Sequence, residues 1–283
     1  MSLPFSSLNF AKPQIMGVLN ITPDSFSDGG KFFNASRLDT SKVLQQAEQM
    51  LQAGASILDI GGESTRPGAE LVSSQQELDR VMPVLEQLQG IEAVISIDTS
   101  NPELMQTAKS YGVGLINDVR ALQQPGALQA AADSGLPICL MHMQGTPQTM
   151  QQQPHYADLI AQVSDFFDAR INACQQAGIA RDKLLLDPGF GFGKTLAHNL
   201  ALLKHLGDFK RYHLPLLVGL SRKSMIDAIH QQHGQSRAVD ERLPGSLALA
   251  LLSYQAGADI IRVHDVQETA DILLVAQALE QSL

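Results

Sequence analysis

Gln52-Ala53-Gly54-Ala55-Ser56-Ile57-Leu58-Asp59-Ile60-Gly61-Gly62 is the stretch on which the fold turns. A helical pattern stops at a glycine, the residue that most readily takes the left-handed conformation that ends a helix. A short apolar run follows and closes on Asp and Gly. The same grammar returns in Gln255-Ala256-Gly257-Ala258-Asp259-Ile260-Ile261-Arg262. Working outward, apolar runs occupy 15–19, 56–60, 93–97, 114–116, 137–141, 184–186, 215–219 and 260–263. Each is too short for a helix. Their near-continuous apolarity is that of parallel strands covered on both faces. Amphipathic stretches such as 38–52, 75–88, 157–176 and 244–255 separate them. Strand alternating with helix implies right-handed crossovers and a parallel sheet. Eight such units of about 30 residues fill the chain as an α/β protein, a (β/α)8 TIM barrel, in preference to an open doubly wound sheet. The barrel is expected to be a single domain over residues 1–283, with the polar stretch 230–242 as a loop.

Composition narrows the function. With 44% hydrophobic and 17% charged residues, the chain has enough apolar side chains for a large core. The absence of Trp and an aromatic fraction of 5% argue against a stacking platform for bases. Twenty Lys and Arg face 29 Asp and Glu, and the net charge of −9 repels nucleic acid and anionic membranes. Small molecules are therefore the expected partners, and an anionic one needs a few local cations. Cys139 and Cys174 are too few for a disulfide framework or a four-thiolate metal site and read as buried small hydrophobes. The N-terminus lacks the basic start and apolar run of a signal peptide, and no apolar run approaches the ~20 residues of a membrane span, so a soluble cytoplasmic protein is expected.

Polar residues gather where the runs end: Asn20, then Asp59 and Gly61 to Arg66, Asp98, Asn117 with Asp118, Met141 with His142, Asp187 to Lys194, Gly219 with Ser221 to Ser224, and Arg262, His264 and Asp265. In a barrel these ends converge on the face where active sites lie. Alternation along a strand sorts them further. Arg262 and His264 share a face, as do Ser96 and Asp98, and Cys139 and Met141, which makes Met141 rather than His142 the pocket residue.

At these ends the sequence resembles a known family. Residues 16–30, Met-Gly-Val-Leu-Asn-Ile-Thr-Pro-Asp-Ser-Phe-Ser-Asp-Gly-Gly, are similar to the first signature of the bacterial dihydropteroate synthases, and residues 59–68, Asp-Ile-Gly-Gly-Glu-Ser-Thr-Arg-Pro-Gly, to the second. The strings at 186–194, 221–224 and 261–265 complete the set in order, so the likeness runs from about residue 13 to about residue 280.

The resemblance implies an enzyme of folate biosynthesis, inhibited by sulfonamides. Such an enzyme condenses 6-hydroxymethyl-7,8-dihydropterin diphosphate with 4-aminobenzoate to 7,8-dihydropteroate and diphosphate. It implies Asp98, Asn117, Met141, Asp187, Gly219 and Lys223 around the pterin, and Asn20, Arg66, Arg262 and His264 at the diphosphate. Thr65, Pro67, Phe192 and Ser224 would frame the aminobenzoate. Asn20, Arg66, Lys223, Arg262 and His264 would carry the catalysis, with Mg²⁺ as cofactor on Asn20 and a homodimer as the assembly. Donors and acceptors of these residue types suit an aminopyrimidinone edge. Two other readings stand beside this one: a pterin-dependent methyltransferase on the same barrel, and a non-catalytic pterin-binding barrel. The segments 22–35 and 63–73 lack apolar periodicity and are expected to close over bound pterin diphosphate.

Overall fold

A computed structural model describes residues 2–22, 32–34, 37–64 and 72–282. Eight parallel strands form its centre: β1 (Gln14–Asn20), β2 (Ile57–Gly61), β3 (Val94–Asp98), β4 (Val113–Asp118), β5 (Ile138–Met141), β6 (Leu184–Asp187), β7 (Leu217–Val218) and β8 (Ile260–Val263). They neighbour one another in the order β6-β5-β4-β3-β2-β1-β8-β7. A single bridge, Leu186 to Leu216, joins β6 to the chain entering β7 and closes the ring. All eight apolar runs are strands, within a few residues of the expected bounds. The departure is β7, whose regular part shrinks to two residues.

Helices cover the outside: α1 (Thr40–Gln52), α2 (Ser74–Gln87), α3 (Pro102–Ala108), α4 (Ala127–Ser134), α5 (Leu159–Gln176), α6 (Leu196–Lys204), α7 (Ser224–Gln231), α8 (Leu243–Gln255) and α9 (Val266–Gln281). Their starts follow local chemistry. Ser73 and Gln76 form a reciprocal capping box at α2, and Asp158 accepts from the Ala161 N–H at α5. The paired glycines also behave alike: Gly54 after α1 and Gly257 after α8 have φ of +105° and +99°. The stretch 230–242 is the end of α7, a loop and one 3₁₀ turn, Val239–Arg242.

The core has two parts. The larger lies between strands and helices. The smaller fills the lower barrel with Met16, Ile57, Val94, Leu115, Cys139, Leu185, Leu217 and Ile260, one residue per strand, stoppered by Phe5, Leu8 and Phe10. Because side chains alternate faces with period two, the next interior level is fixed. Two residues further along come Val18, Asp59, Ser96, Asn117, Met141, Asp187, Gly219 and Arg262. The interior thus changes from wholly apolar to mostly polar in one step along the strands.

Candidate active site

A cavity of about 480 Å³ opens above that polar level. Asp98, Asn117, Met141, Asp187, Gly219, Lys223 and Arg262 line it from six different strand ends and the start of α7. Asn20, Phe192, Ser224 and His264 complete its wall toward the mouth. Of the fourteen residues singled out in the sequence, the structure therefore brings eleven to one cavity. Thr65, Arg66 and Pro67 lie outside the described residues, as do most of the two segments expected to close.

Arg262 organises the deep end. Its Nε donates to Asp59 Oδ2 at 2.6 Å and its Nη2 to Asp98 Oδ2 at 3.0 Å, while Asn117 Nδ2 donates to the same Asp59 oxygen at 3.1 Å. One guanidinium thus faces two carboxylates. Burial pushes Asp98 up to about 7; Arg262 pulls it back and Asp59 pushes it further. Opposite lies Asp187. Burial raises its carboxyl, opposed first by the Gly189 N–H, which donates to Oδ1 at 2.7 Å, and then by Lys223 and Lys194. Asp187 therefore caps the turn after β6 and faces the cavity at once.

Lys223 is the N-cap residue of α7, which begins at Ser224. Its ammonium donates to Phe190 O at 2.6 Å and sits 4.2 Å from the centre of the Phe192 ring. Burial pulls this lysine down to about 8, with Asp187 resisting. Phe190 is core, whereas Phe192 is half-buried and presents its ring to the cavity. At the mouth, His264 Nδ1 and Ser221 Oγ lie 3.0 Å apart, and Arg222 is bonded through Nε to Asp265 at 2.9 Å.

Met141, which alternation preferred to its neighbour, lines the cavity, while His142 points out of the barrel into a buried cluster, where burial holds it at about 3. Asn117 faces the cavity, while Asp118 accepts from Ser100, Arg120 N–H and Leu122 N–H and caps a turn. Cys139 and Cys174 are buried and free, and burial raises both thiols. Three features escaped the sequence. Arg242, at the end of the polar stretch, lines the mouth. Arg120 grips Glu63 with two bonds of 2.8 and 2.9 Å, and Arg80 donates to Gly62 O at 2.8 Å, anchoring the chain just after β2. Lys194 is buried, with its ammonium among backbone carbonyls.

Two carboxylates, a carboxamide and an ammonium converge at the deep end with a thioether beside them. That set accepts from a heterocycle's amino and ring N–H groups and donates to its carbonyl. Comparison with known proteins gives the same direction. A family described as pterin binding enzyme matches residues 16–264. The dihydropteroate synthase of Escherichia coli K12 is 54% identical over 276 residues, 96% of this chain and 94% of that protein. That of Haemophilus influenzae is 51% identical over 272 residues, 96% and 95% of the two chains. A Yersinia pestis dihydropteroate synthase solved with a sulfonamide drug complex superposes with a TM-score of 0.91 at 51% identity, covering 97% of this chain and 96% of that one. A Xanthomonas albilineans dihydropteroate synthase solved with 4-aminobenzoic acid gives 0.86 at 45%, over 96% and 95%.

Proposed function

The chain belongs to the pterin-binding enzymes, among the dihydropteroate synthases, and from that premise we infer how its residues divide the reaction. The enzyme joins 6-hydroxymethyl-7,8-dihydropterin diphosphate to 4-aminobenzoate, releases diphosphate, and is a target of sulfonamides. The observation that carries the assignment of roles is the convergence of Asp98, Asn117, Asp187 and Lys223 on one end of a single cavity.

In our reading Asp98 and Asp187 accept from the pterin N–H groups, Asn117 both donates and accepts, and Lys223 meets the carbonyl. Met141 and Gly219 leave a slot for the flat ring. Arg262 bridges the pterin end to the diphosphate, with Arg66 as a second cation and His264 as a hydrogen-bonding partner. Loss of diphosphate leaves positive charge on the pterin methylene, which the electron-rich ring delocalises. The aniline nitrogen is neutral at pH 7 and attacks that carbon, then gives up a proton to solvent. The protein's part is to hold both reactants in line and to stabilise the leaving diphosphate. Phe192, Ser224, Thr65 and Pro67 frame the aminobenzoate, with its carboxylate at the start of α7.

Mg²⁺ fits this donor set. Asn20 offers a carboxamide oxygen on the cavity wall, and among the described residues no three His, Cys, Asp or Glu side chains form a cage of their own. A hard cation that keeps its waters and arrives on phosphate oxygens suits one such ligand. When bound, it neutralises charge on the departing diphosphate.

We further propose a homodimer built on α8 and α9, where Leu252, Leu274, Val275 and Leu279 are 49–71% exposed. The cytoplasm is the proposed setting, in keeping with two free thiols. The relatives named above and the residues of the site give no support to a methyl transfer to or from the pterin. The test is diphosphate release from the pterin diphosphate, with and without 4-aminobenzoate and Mg²⁺. The expected result is fast release only with all three present. Release that ignores aminobenzoate would refute the division of roles.

A further inference from the structure

Lys194 ends the glycine-rich loop after β6. Its side chain is 3% exposed, and its ammonium is ringed by acceptors: Gly189 O at 2.9 Å, Phe192 O at 3.1 Å and His142 Nδ1 at 2.9 Å, with His142 O at 3.4 Å. Three N–H donors meet three close acceptors, which is full satisfaction for an ammonium. An ammonium can only donate, so the neutral His142 ring accepts at Nδ1. A solvated lysine next to a glycine has no need of such a nest. This one spends its charge tying both ends of a five-residue loop, 189–193, to the chain that follows β5.

The loop has little freedom to sit elsewhere. At Gly189, φ is +70° and a Cβ would fall 1.8 Å from His142 O. Asn199 Oδ1 accepts from Gly191 N–H at 2.7 Å, and Tyr156 Oη donates to Gly193 O at 2.8 Å. What the loop carries is the Phe192 ring and the Phe190 carbonyl, the two groups against which Lys223 rests. We propose that Lys194 is a positioning residue for the aminobenzoate half of the site, acting through the loop it clamps rather than by touching substrate. The inference rests on the condensation reaction assigned above.

The clamp needs the proton. Groups facing Lys194 are Asp187 on β6, His142 after β5, Lys223 at α7, and His198 on α6. Burial pulls its ammonium down to about 7; Asp187 resists and Lys223 adds to the fall. Below that pH the clamp is closed, and above it one donor and the charge are lost.

The experiment follows diphosphate release by the full-length enzyme while aminobenzoate and pterin diphosphate are varied in turn, from pH 6 to 9. Failure of the wild type to turn over would defeat the functional assignment and is seen before any variant is made. With turnover present, wild-type kcat/KM for aminobenzoate at saturating pterin diphosphate is expected to fall on the alkaline side with an apparent pKa near 7. Lys194→Met should raise the aminobenzoate KM at least tenfold and the pterin diphosphate KM by less than about threefold. Lys194→Arg, which stays charged, should recover most of that loss and move the alkaline fall from near pH 7 up toward pH 8, where Lys223 loses its proton. Equal changes in both KM values, or a lower melting temperature with unchanged KM values, would overturn the proposal. If neither variant folds, the wild-type profile decides: a flat aminobenzoate kcat/KM between pH 6 and 9 overturns it too.

Discussion

Arg262 holds two buried carboxylates together, so its removal has a signature in stability. Arg262→Ala leaves Asp59 and Asp98 buried with no cation between them, and breaking such a buried group typically costs about 3–5 kcal/mol. Asp98 is already raised to about 7, so it relieves the repulsion by taking a proton. The melting temperature of the variant should therefore fall further below wild type at pH 8 than at pH 6; a deficit that is constant with pH would contradict the shared-charge picture. Asp187→Asn keeps the shape but turns a donor toward the pterin N–H. An unmade buried hydrogen bond costs roughly 1–3 kcal/mol, so calorimetry should show pterin affinity weaker by about fivefold to a hundredfold or more. The same residues set the pH range. In the proposed roles Asp98 accepts best when ionised, which favours pH above about 7, and Lys223 donates best when charged, which favours pH below about 8. The kcat/KM for pterin diphosphate should peak between these limits, and a plateau from pH 6 to 9 would remove one of the two from the site.

Between residue and barrel lie the strand-to-helix connections, and they divide what a sequence displays from what it hides. Asp98, Met141 and Arg262 were legible because a period-two strand aims alternate residues inward, whereas Asn117 and Asp187 stood out as polar strand ends and took their roles from the resemblance. Lys194 was not legible: beside Gly193 in a loop it looks like any solvated cation, and only the approach of the β5 connection buries it. Arg242 was hidden for a related reason, since it closes a polar stretch without periodicity that only the fold carries to the mouth. The pairing of Arg120 with Glu63 joins connections 57 residues apart. That bond root predicts a local effect. Arg120→Met should lower stability by roughly 2 kcal/mol through the lost charged hydrogen bonds to the partly exposed Glu63, and weaken turnover more than pterin binding, because Ser64 on the cavity wall follows directly. Thermal denaturation together with pterin calorimetry separates the two. Pterin binding lost in proportion to turnover would place Arg120 in the pterin pocket instead.

For the molecule as a whole, the apolar strip on α8 and α9 makes an assembly prediction. Leu279→Asp should turn a dimer into a monomer in analytical ultracentrifugation, while a wild type that sediments as a monomer at micromolar concentration would dismiss the interface. The way the ring closes has a different consequence. Seven strand pairs share ladders, but β6 meets β7 through the Leu186–Leu216 bridge and the Leu186 N–H donated to Pro215 O at 3.0 Å. Asp187 and Phe192 stand on one bank of this join, Gly219 and Lys223 on the other, and the Lys223 bond to Phe190 O already crosses it. A pterin lying between Asp187 and Lys223 is then a suture across the barrel's thinnest seam. Ligand that binds only the closed form adds about 2.7 kcal/mol at a hundredfold excess over its Kd. Amide exchange at Leu186 should slow under pterin by far more than at Ile57, deep in a full ladder, so the substrate acts as the last stave of its own container.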